Sequence, residues 1–155
     1  MENFTFKIVN PDSEIPYHLL LLADETREAI DQYIFNCEIY LLHDGIENIA
    51  VMALYKNSDT ELEIKNVAVI ESYRSKGIGS ILMDKAKEIA KENQYKTLTV
   101  GTSDTGFQQI RFYEKNGFIK NGILKNFFIE NYPVPIYENG LQMRDMVILS
   151  HHLTE

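Results

Sequence analysis

The sequence predicts an α/β protein, a mixed α+β sheet flanked by helices in the order β-αα-βββ-α-β-α-ββ. Three observations carry that expectation. Residues 38–70 fall into three strand-like segments separated by short polar turns, the pattern of an antiparallel meander. Residues 77–93 place apolar side chains along one stripe at helical spacing, and a short apolar run at 97–102 follows, which makes a strand–helix–strand crossover between parallel neighbours. A further helical segment stops at Asn116-Gly117 before more strand-like sequence.

In chain order, Phe4, Phe6 and Ile8 alternate and open the first strand, which Pro11 and Pro16 break. From Pro16 to about Cys37 the spacing is helical, in two short helices, with Asp24 as a cap inside the stretch and Ile30, Tyr33 and Ile34 following at helical intervals. Glu38 to His43 and Glu47 to Tyr55 are strands joined at Asp44-Gly45, a two-residue turn in which glycine accepts positive φ. Asn57 to Thr60 turns the chain into a third strand, Glu61 to Ile70. Here Leu62 and Ile64 are apolar at even positions, and Val67 and Val69 at odd ones. Side chains alternate with period two, so both sets share a face only if one residue is inserted. The sequence therefore predicts a β-bulge between Ile64 and Val67; the alternative is a strand covered on both faces, whose phase carries no meaning.

In the long helix, Ile78, Ile81, Leu82, Ala86, Ile89 and Ala90 form the buried stripe, while Asp84, Lys87, Glu88 and Lys91 stay in water. Thr97 to Thr102 is a short buried strand. Thr105-Gly106-Phe107-Gln108 fits a capping box, so the next helix begins there, and Gly117 is free to take the left-handed conformation beyond its end. Phe118 to about Phe128 is a strand region. Glu130 to Leu141, with Pro133, Pro135 and Gly140, is a long loop, and Asp145 to His151 is the last strand, opened by the surface charges Arg144 and Asp145.

A chain of 155 residues makes one domain, 1–155, long enough to bury a core. Fifteen basic and twenty-three acidic residues give a net charge of -8, which argues against a nucleic-acid partner and is compatible with a cationic one. Cys37 is the single cysteine, so no disulfide within the chain and no cysteine zinc site can form, and it reads as a small buried hydrophobe. No metal is expected: His151-His152 point to opposite faces of a strand, and His18 and His43 lack spaced partners. The longest apolar run, Leu19 to Ala23, is far too short to cross a bilayer, and Met1-Glu2-Asn3-Phe4 lacks the basic start of a signal peptide. The expectation is a soluble, cytoplasmic protein without a membrane partner.

The chemistry is concentrated at residues 67–80, where a strand ends, a glycine-containing turn follows and a long helix begins. Amides at a helix N-terminus have no partner inside the helix, and the dipole adds about half a positive charge there. A pyrophosphate suits that place. Gly77 and Gly79 remove side chains that would block its approach, and Arg74 and Lys76 add cations. A dinucleotide fingerprint fails because its third glycine is Leu82, and a P-loop fails because no G-K-[ST] follows.

Arg74-Ser75-Lys76-Gly77-Ile78-Gly79 resembles the R/Q-x-x-G-x-G/A signature of the GNAT superfamily of N-acetyltransferases, and Phe112-Tyr113-Glu114-Lys115-Asn116-Gly117-Phe118 looks like that family's aromatic-Tyr-x-K-x-G-F helix end. With the element order, the resemblance covers about Glu38 to Phe118. It implies a GNAT-like acyl-CoA N-acyltransferase fold. It also implies acetyl-CoA as donor, and direct attack on the thioester by a primary amine of a small molecule or peptide. Carried over, the pantetheine arm lies along Val67, Ala68 and Val69, with the Val67 N–H facing the thioester oxygen. The pyrophosphate sits on Arg74, Ser75, Lys76, Gly77, Ile78, Gly79 and Ser80.

Removing the proton of a lysine-like amine, pKa about 10.4, costs roughly 4 to 5 kcal/mol near pH 7, so a general base is expected. Glu63, eleven residues before Arg74, matches the catalytic glutamate of the histone-acetylating branch; its plainer role is an exposed charge beside Glu61. Tyr113 matches the family's helix tyrosine, which gives a proton to the departing thiolate; its plainer role is an amphipathic core residue. Three residues depart from the family pattern: Gly106 where an asparagine is common, Gln109 where alanine is, and Glu71 where proline is. The first removes an asparagine contact to the donor. The Glu130 to Leu141 loop, with Tyr132, Tyr137, Glu130 and Glu138, is expected to border the acceptor pocket, its carboxylates attracting a cationic amine. Two other classes remain open: a non-catalytic acyl-CoA-binding or sensor domain, which needs residues 74–80 but neither Glu63 nor Tyr113, and a structural interaction module. The sequence does not fix the oligomeric state, and a homodimer is among the open arrangements.

Overall fold

The structure is a computed structural model that describes residues 3–10 and 12–153, so the break assigned to Pro11 lies outside the described residues. Seven strands form one sheet in the order β1-β2-β3-β4-β5-β9-β6, from β1 (Thr5–Val9), β2 (Cys37–His43), β3 (Asn48–Lys56), β4 (Glu61–Val69), β5 (Thr97–Ser103), β6 (Ile119–Leu124) and β9 (Met146–His152). Helices α1 (Tyr17–Leu20) and α2 (Arg27–Asp31) lie between β1 and β2, α3 (Ile78–Glu92) between β4 and β5, α4 (Phe107–Lys115) before β6 and α5 (Phe127–Glu130) after it. A separate hairpin pairs β7 (Tyr137–Glu138) with β8 (Leu141–Gln142). β4 and β5 are parallel, as the crossover through α3 requires; every other pairing is antiparallel.

Strands β2 and β3 are apolar on both faces because both are covered. On one face Leu42 and Met52 meet Leu82, Met83, Ala86 and Ala90 of α3; on the other Ile39, Val51 and Ala53 meet Leu19, Leu20, Ile30 and Ile34. The bulge in β4 is present. Ala53 pairs with Asn66 and Leu54 with Ile64, which leaves Lys65 as the inserted residue. Leu62 and Ile64 before it, and Val67 and Val69 after it, all pack toward the α3 cluster, whereas Ala68 packs toward α1 and α2.

Several local expectations are corrected. Asp24 is not the cap of α2: Thr26 is, its Oγ1 accepting the Ala29 N–H at 3.0 Å. The β2–β3 turn spans four residues, because the Asp44 carboxylate accepts the N–H groups of Ile46 and Glu47 at 2.8 Å each and closes a wider loop. The capping box fails because the helix begins one residue later. Gly106 occupies the cap and has no side-chain oxygen to offer, while the Thr105 hydroxyl meets Ser103 and Glu138. Gly117 does take the left-handed conformation, φ +91. Strand β6 stops at Leu124, since Asn126 turns with φ +58 and Phe127 begins a single helical turn. The loop after it contains the β7–β8 hairpin, turned by Asn139-Gly140 with both φ positive, a pair that is itself a hairpin signal.

Candidate active site

β4 and β5 pair only from Glu61 to Ile64 and from Thr97 to Val100. Beyond that point β4 continues to Val69 and β5 to Ser103 without touching in register, so the sheet opens into a V. The direction of the β4 backbone in the opening follows from its pairing with β3. Ile70 N–H donates to the Ile49 carbonyl at 2.9 Å. Bonded positions alternate along an antiparallel pair, so Ala68 and Asn66 also address β3, and Val67 and Val69 turn their N–H and C=O groups into the opening. Arg74 Nε donates to the exposed Val69 carbonyl at 3.0 Å, which ties the following turn to the mouth of the V.

That turn is built for open amides. Ser75 has φ +62 and Gly77 φ +82. Gly77 caps α3 without a side-chain bond, and the N–H groups of Ile78, Gly79 and Ser80 open the helix. Ile78 is buried beneath the turn, while Arg74, Ser75, Lys76, Gly77 and Ser80 are exposed. Within the protein itself the two glycines do different work. A Cβ on Gly77 would meet no protein atom within 4 Å, but its positive φ favours glycine there; a Cβ on Gly79 would lie 2.9 Å from the Phe112 ring, so that glycine lets α4 pack on α3. Glu71 begins a single 3-10 turn ending at Tyr73, whose hydroxyl donates to Asp44 at 2.6 Å.

Two cavities meet at the opening. The first, about 740 Å³, is lined by Val67, Ala68, Val69, Arg74, Gln109 and Tyr113 among others. The second, about 890 Å³, is lined by Glu28, Glu61, Glu63 and Glu130. Asp24, Ile64, Lys65, Gly101, Tyr132 and Met146 line both, and so form their common wall. Glu63 and Tyr113 are therefore not brought together. Tyr113 is 7% exposed, and burial pushes its phenol above the ordinary value. Glu63 pairs with Lys65 at 3.3 Å and accepts from Asn57 at 2.9 Å. The loop after β6 lines both cavities, through Tyr137 and Glu138 on one side and Glu130 and Pro133 on the other. A Cβ at Gly106 would sit 3.1 Å from Gln109 Oε1 and 3.3 Å from the Ser103 carbonyl, so the two departures at 106 and 109 fit each other.

A network that spacing could not reveal spans the common wall. The Asp24 carboxylate accepts the Tyr132 hydroxyl at 2.7 Å and the Tyr33 hydroxyl at 3.0 Å. Tyr33 in turn accepts from Asn66 Nδ2 at 3.1 Å, and the same amide donates to the Leu20 carbonyl at 3.0 Å. Burial raises both phenols above their ordinary value. Cys37 is buried, its thiol pushed up to about 12 by desolvation. His151 meets the Gly117 carbonyl at 2.9 Å, and His43 accepts the Gly45 N–H at 3.0 Å. Among the described residues no three His, Cys, Asp or Glu side chains are grouped to hold a metal ion.

Residues 6–118 match the Acetyltransferase (GNAT) family. The chain belongs to that family. It is 36% identical over 149 residues to the uncharacterized N-acetyltransferase YvbK of Bacillus subtilis (strain 168), covering 96% of each chain. A GNAT family acetyltransferase from Elizabethkingia anophelis, solved with acetyl-CoA bound, superposes with a TM-score of 0.94 at 41% identity, over 99% of this chain and 100% of that one. The IAA acetyltransferase from Bacillus cereus ATCC 14579 superposes with a TM-score of 0.91 at 34% identity, over 97% and 100%. The protein is thus a GNAT-fold acyltransferase, an N-acetyltransferase. Among the described residues no helix is long and apolar enough to cross a membrane.

Proposed function

We propose that this enzyme moves an acetyl group from acetyl-CoA to a cationic amine, with the donor in the 740 Å³ cleft and the amine entering through the 890 Å³ cavity. One observation carries the reading: the two cavities share a wall where β4 and β5 part, so ligands in both would meet there. The relative from Elizabethkingia anophelis binds acetyl-CoA, which supports that donor.

Acetyl-CoA supplies an activated acyl thioester. In this reading Val67, Ala68 and Val69 hold the pantetheine arm through backbone groups, the Val67 N–H addresses the thioester oxygen, and Arg74 to Ser80 hold the pyrophosphate on open amides and two cations. The amine forms the new N–C bond, the C–S bond breaks, one N–H proton leaves and the thiolate takes one up. Tyr113, protonated at neutral pH as any ordinary phenol is, gives that proton. Two carboxylates stand where the amine's proton can go: Glu63 from the acceptor cavity, through water, and Asp24 from the common wall. Four glutamates line the second cavity beside Asp24, with Lys65 as their counter-charge, which favours a cationic acceptor. The free thiol of Cys37 suits a reducing cytoplasm.

The test is calorimetry with acetyl-CoA, followed by thiol release with polyamines, amino acids, aminoglycosides and short peptides. Donor binding with turnover of cationic amines supports the reading. A preference for acidic acceptors overturns the acceptor class, and an absence of donor binding overturns the whole.

A further inference from the structure

Gly101 and Met146 meet at the point where the sheet opens. Ile64 and Val100 are the last paired residues of β4 and β5, so Lys65 and Gly101 are the first to stand apart. Both line both cavities, and so does Met146 of β9. Gly101 is not among the glycines with positive φ, so its backbone conformation does not call for glycine. Space does. A Cβ on Gly101 would overlap the Met146 thioether and lie 3.0 Å from Met146 Cγ and 3.4 Å from Ile148 Cδ1. Met146 therefore lies across bare β5 backbone, and it is only half-buried. The other side chains of the common wall differ from it. Asp24, Lys65 and Tyr132 end in polar groups, and Ile64 is 2% exposed. Met146 is the side chain that gives this wall an accessible apolar surface.

We propose that Met146, seated on Gly101, limits the acyl group of the donor to a short chain. This rests on the acetyl-transfer reading above. The carbonyl carbon of a thioester is trigonal: its sulfur, its oxygen and its acyl chain lie in one plane and point to the corners of a triangle. In that reading the sulfur continues the pantetheine arm, and the oxygen faces the Val67 N–H on β4. The third corner then points away from β4 and toward β5, where Met146 covers Gly101. An acetyl methyl meets the thioether there, apolar against apolar. Each further methylene lengthens the chain toward Met146, which must shift to avoid overlap. A methionine side chain is unbranched and yields, so the limit is graded: propionyl passes slowly and butyryl is rejected. The transfer step is the same for every chain. The amine lone pair forms the N–C bond, the C–S bond breaks, the nitrogen loses one proton and the thiolate gains one.

The probes are acetyl-CoA, propionyl-CoA and butyryl-CoA, with thiol release measured at a fixed concentration of 1,4-diaminobutane. The ratio of kcat/KM for butyryl-CoA over acetyl-CoA should rise by about tenfold or more in Met146→Ala, chiefly through gain of rate on butyryl-CoA. Gly101→Ala should act in the opposite sense. It adds a methyl where the thioether now lies, so the room left for a chain shrinks and propionyl-CoA loses more rate than acetyl-CoA. Adding Met146→Ala to Gly101→Ala should restore propionyl transfer. A merely structural role for the pair would slow all three donors equally, and that outcome overturns the proposal while leaving acetyl transfer intact. No acetyl-CoA binding by the wild-type enzyme would instead sink the underlying function. Should the variants fail to fold, wild-type crystals with acetyl-CoA decide. An acyl methyl in contact with the Met146 side chain supports the proposal; a methyl directed at another wall overturns it.

Discussion

The cleft proposed for the donor and the cavity proposed for the acceptor share a wall, yet they are built differently. The donor side combines main chain from residues 64–80, the inward-turned backbone of Val67 and Val69 and the open amides at the start of α3, with side chains of other elements such as Gln109 and Tyr113. The cavity draws on side chains from segments far apart, Glu28 of α2, Glu63 of β4, Glu130 of α5 and Tyr132 beyond it, brought together only by the fold. Backbone groups are indifferent to most substitutions, so such a wall suits a ligand that does not change. Side chains from separate elements can change one at a time, so such a wall can be retuned to a different acceptor. The contrast implies that substitutions in the cleft act through conformation and packing, whereas those in the cavity act through charge.

Tyr113 is the sharpest test, because it is the side chain asked to give a proton to the departing thiolate. Tyr113→Phe should lower kcat by about 100-fold, the lower end for a general acid, while the donor Kd stays within error. Equal loss of donor affinity would place Tyr113 among the packing residues. Gly77→Val comes next. A β-branched residue at φ +82 is strained by at least about 1–2 kcal/mol, and the turn relaxes by moving its amides, so the donor Kd should rise about tenfold with the acceptor KM unchanged. Gly79→Ala should behave differently from Gly77→Val. Its clash is with Phe112, so it should reduce thermal stability by about 1–3 kcal/mol more than it weakens donor binding.

The same division explains what the sequence revealed. The bulge in β4, the helix stripe, the glycine turn and the Gly117 stop are local patterns, and each was legible because neighbours in the chain are neighbours in space. Asp24 and Tyr132 are 108 positions apart and meet through one hydrogen bond, which no spacing rule encodes. Asp24 looked like a helix cap for that reason; its carboxylate is occupied by two phenols instead, and Thr26 caps the helix. The capping box at Thr105 misled because the motif fits in either of two registers, and only packing chose the one with Gly106 at the cap. Asn139-Gly140 was readable as a hairpin turn, but strands of two residues give no alternation to flank it.

In the acceptor cavity, smaller and salt-sensitive effects are expected. Glu130→Gln should raise the KM for 1,4-diaminobutane by about two- to fivefold at low salt, the range for a partly exposed ionic contact, with donor Kd unchanged. The difference should shrink in 0.5 M salt. A change in donor affinity instead would mean that the two cavities are not energetically separate.

The smallest effect concerns the support of the donor turn. Asp44 accepts hydrogen bonds from the Tyr73 hydroxyl and the N–H groups of Ile46 and Glu47, and these bonds, that of Tyr73 foremost, hold its carboxyl down at about 2. Tyr73 leads directly into Arg74, so Asp44 steadies the turn from across the sheet. A carboxylate with a depressed folded value stabilises the fold above its ordinary value of 3.8, and that contribution is lost as pH falls through about 2. Asp44→Asn keeps an acceptor oxygen and removes the charge. Its Tm should lie below that of the wild type at pH 5, and the two should converge between about pH 4 and 2 as the wild-type carboxylate takes up its proton. A gap that stays constant across that interval would show that the Asp44 bonds work without the charge. The tie to Tyr73 would then be a matter of shape, like the rest of the donor wall.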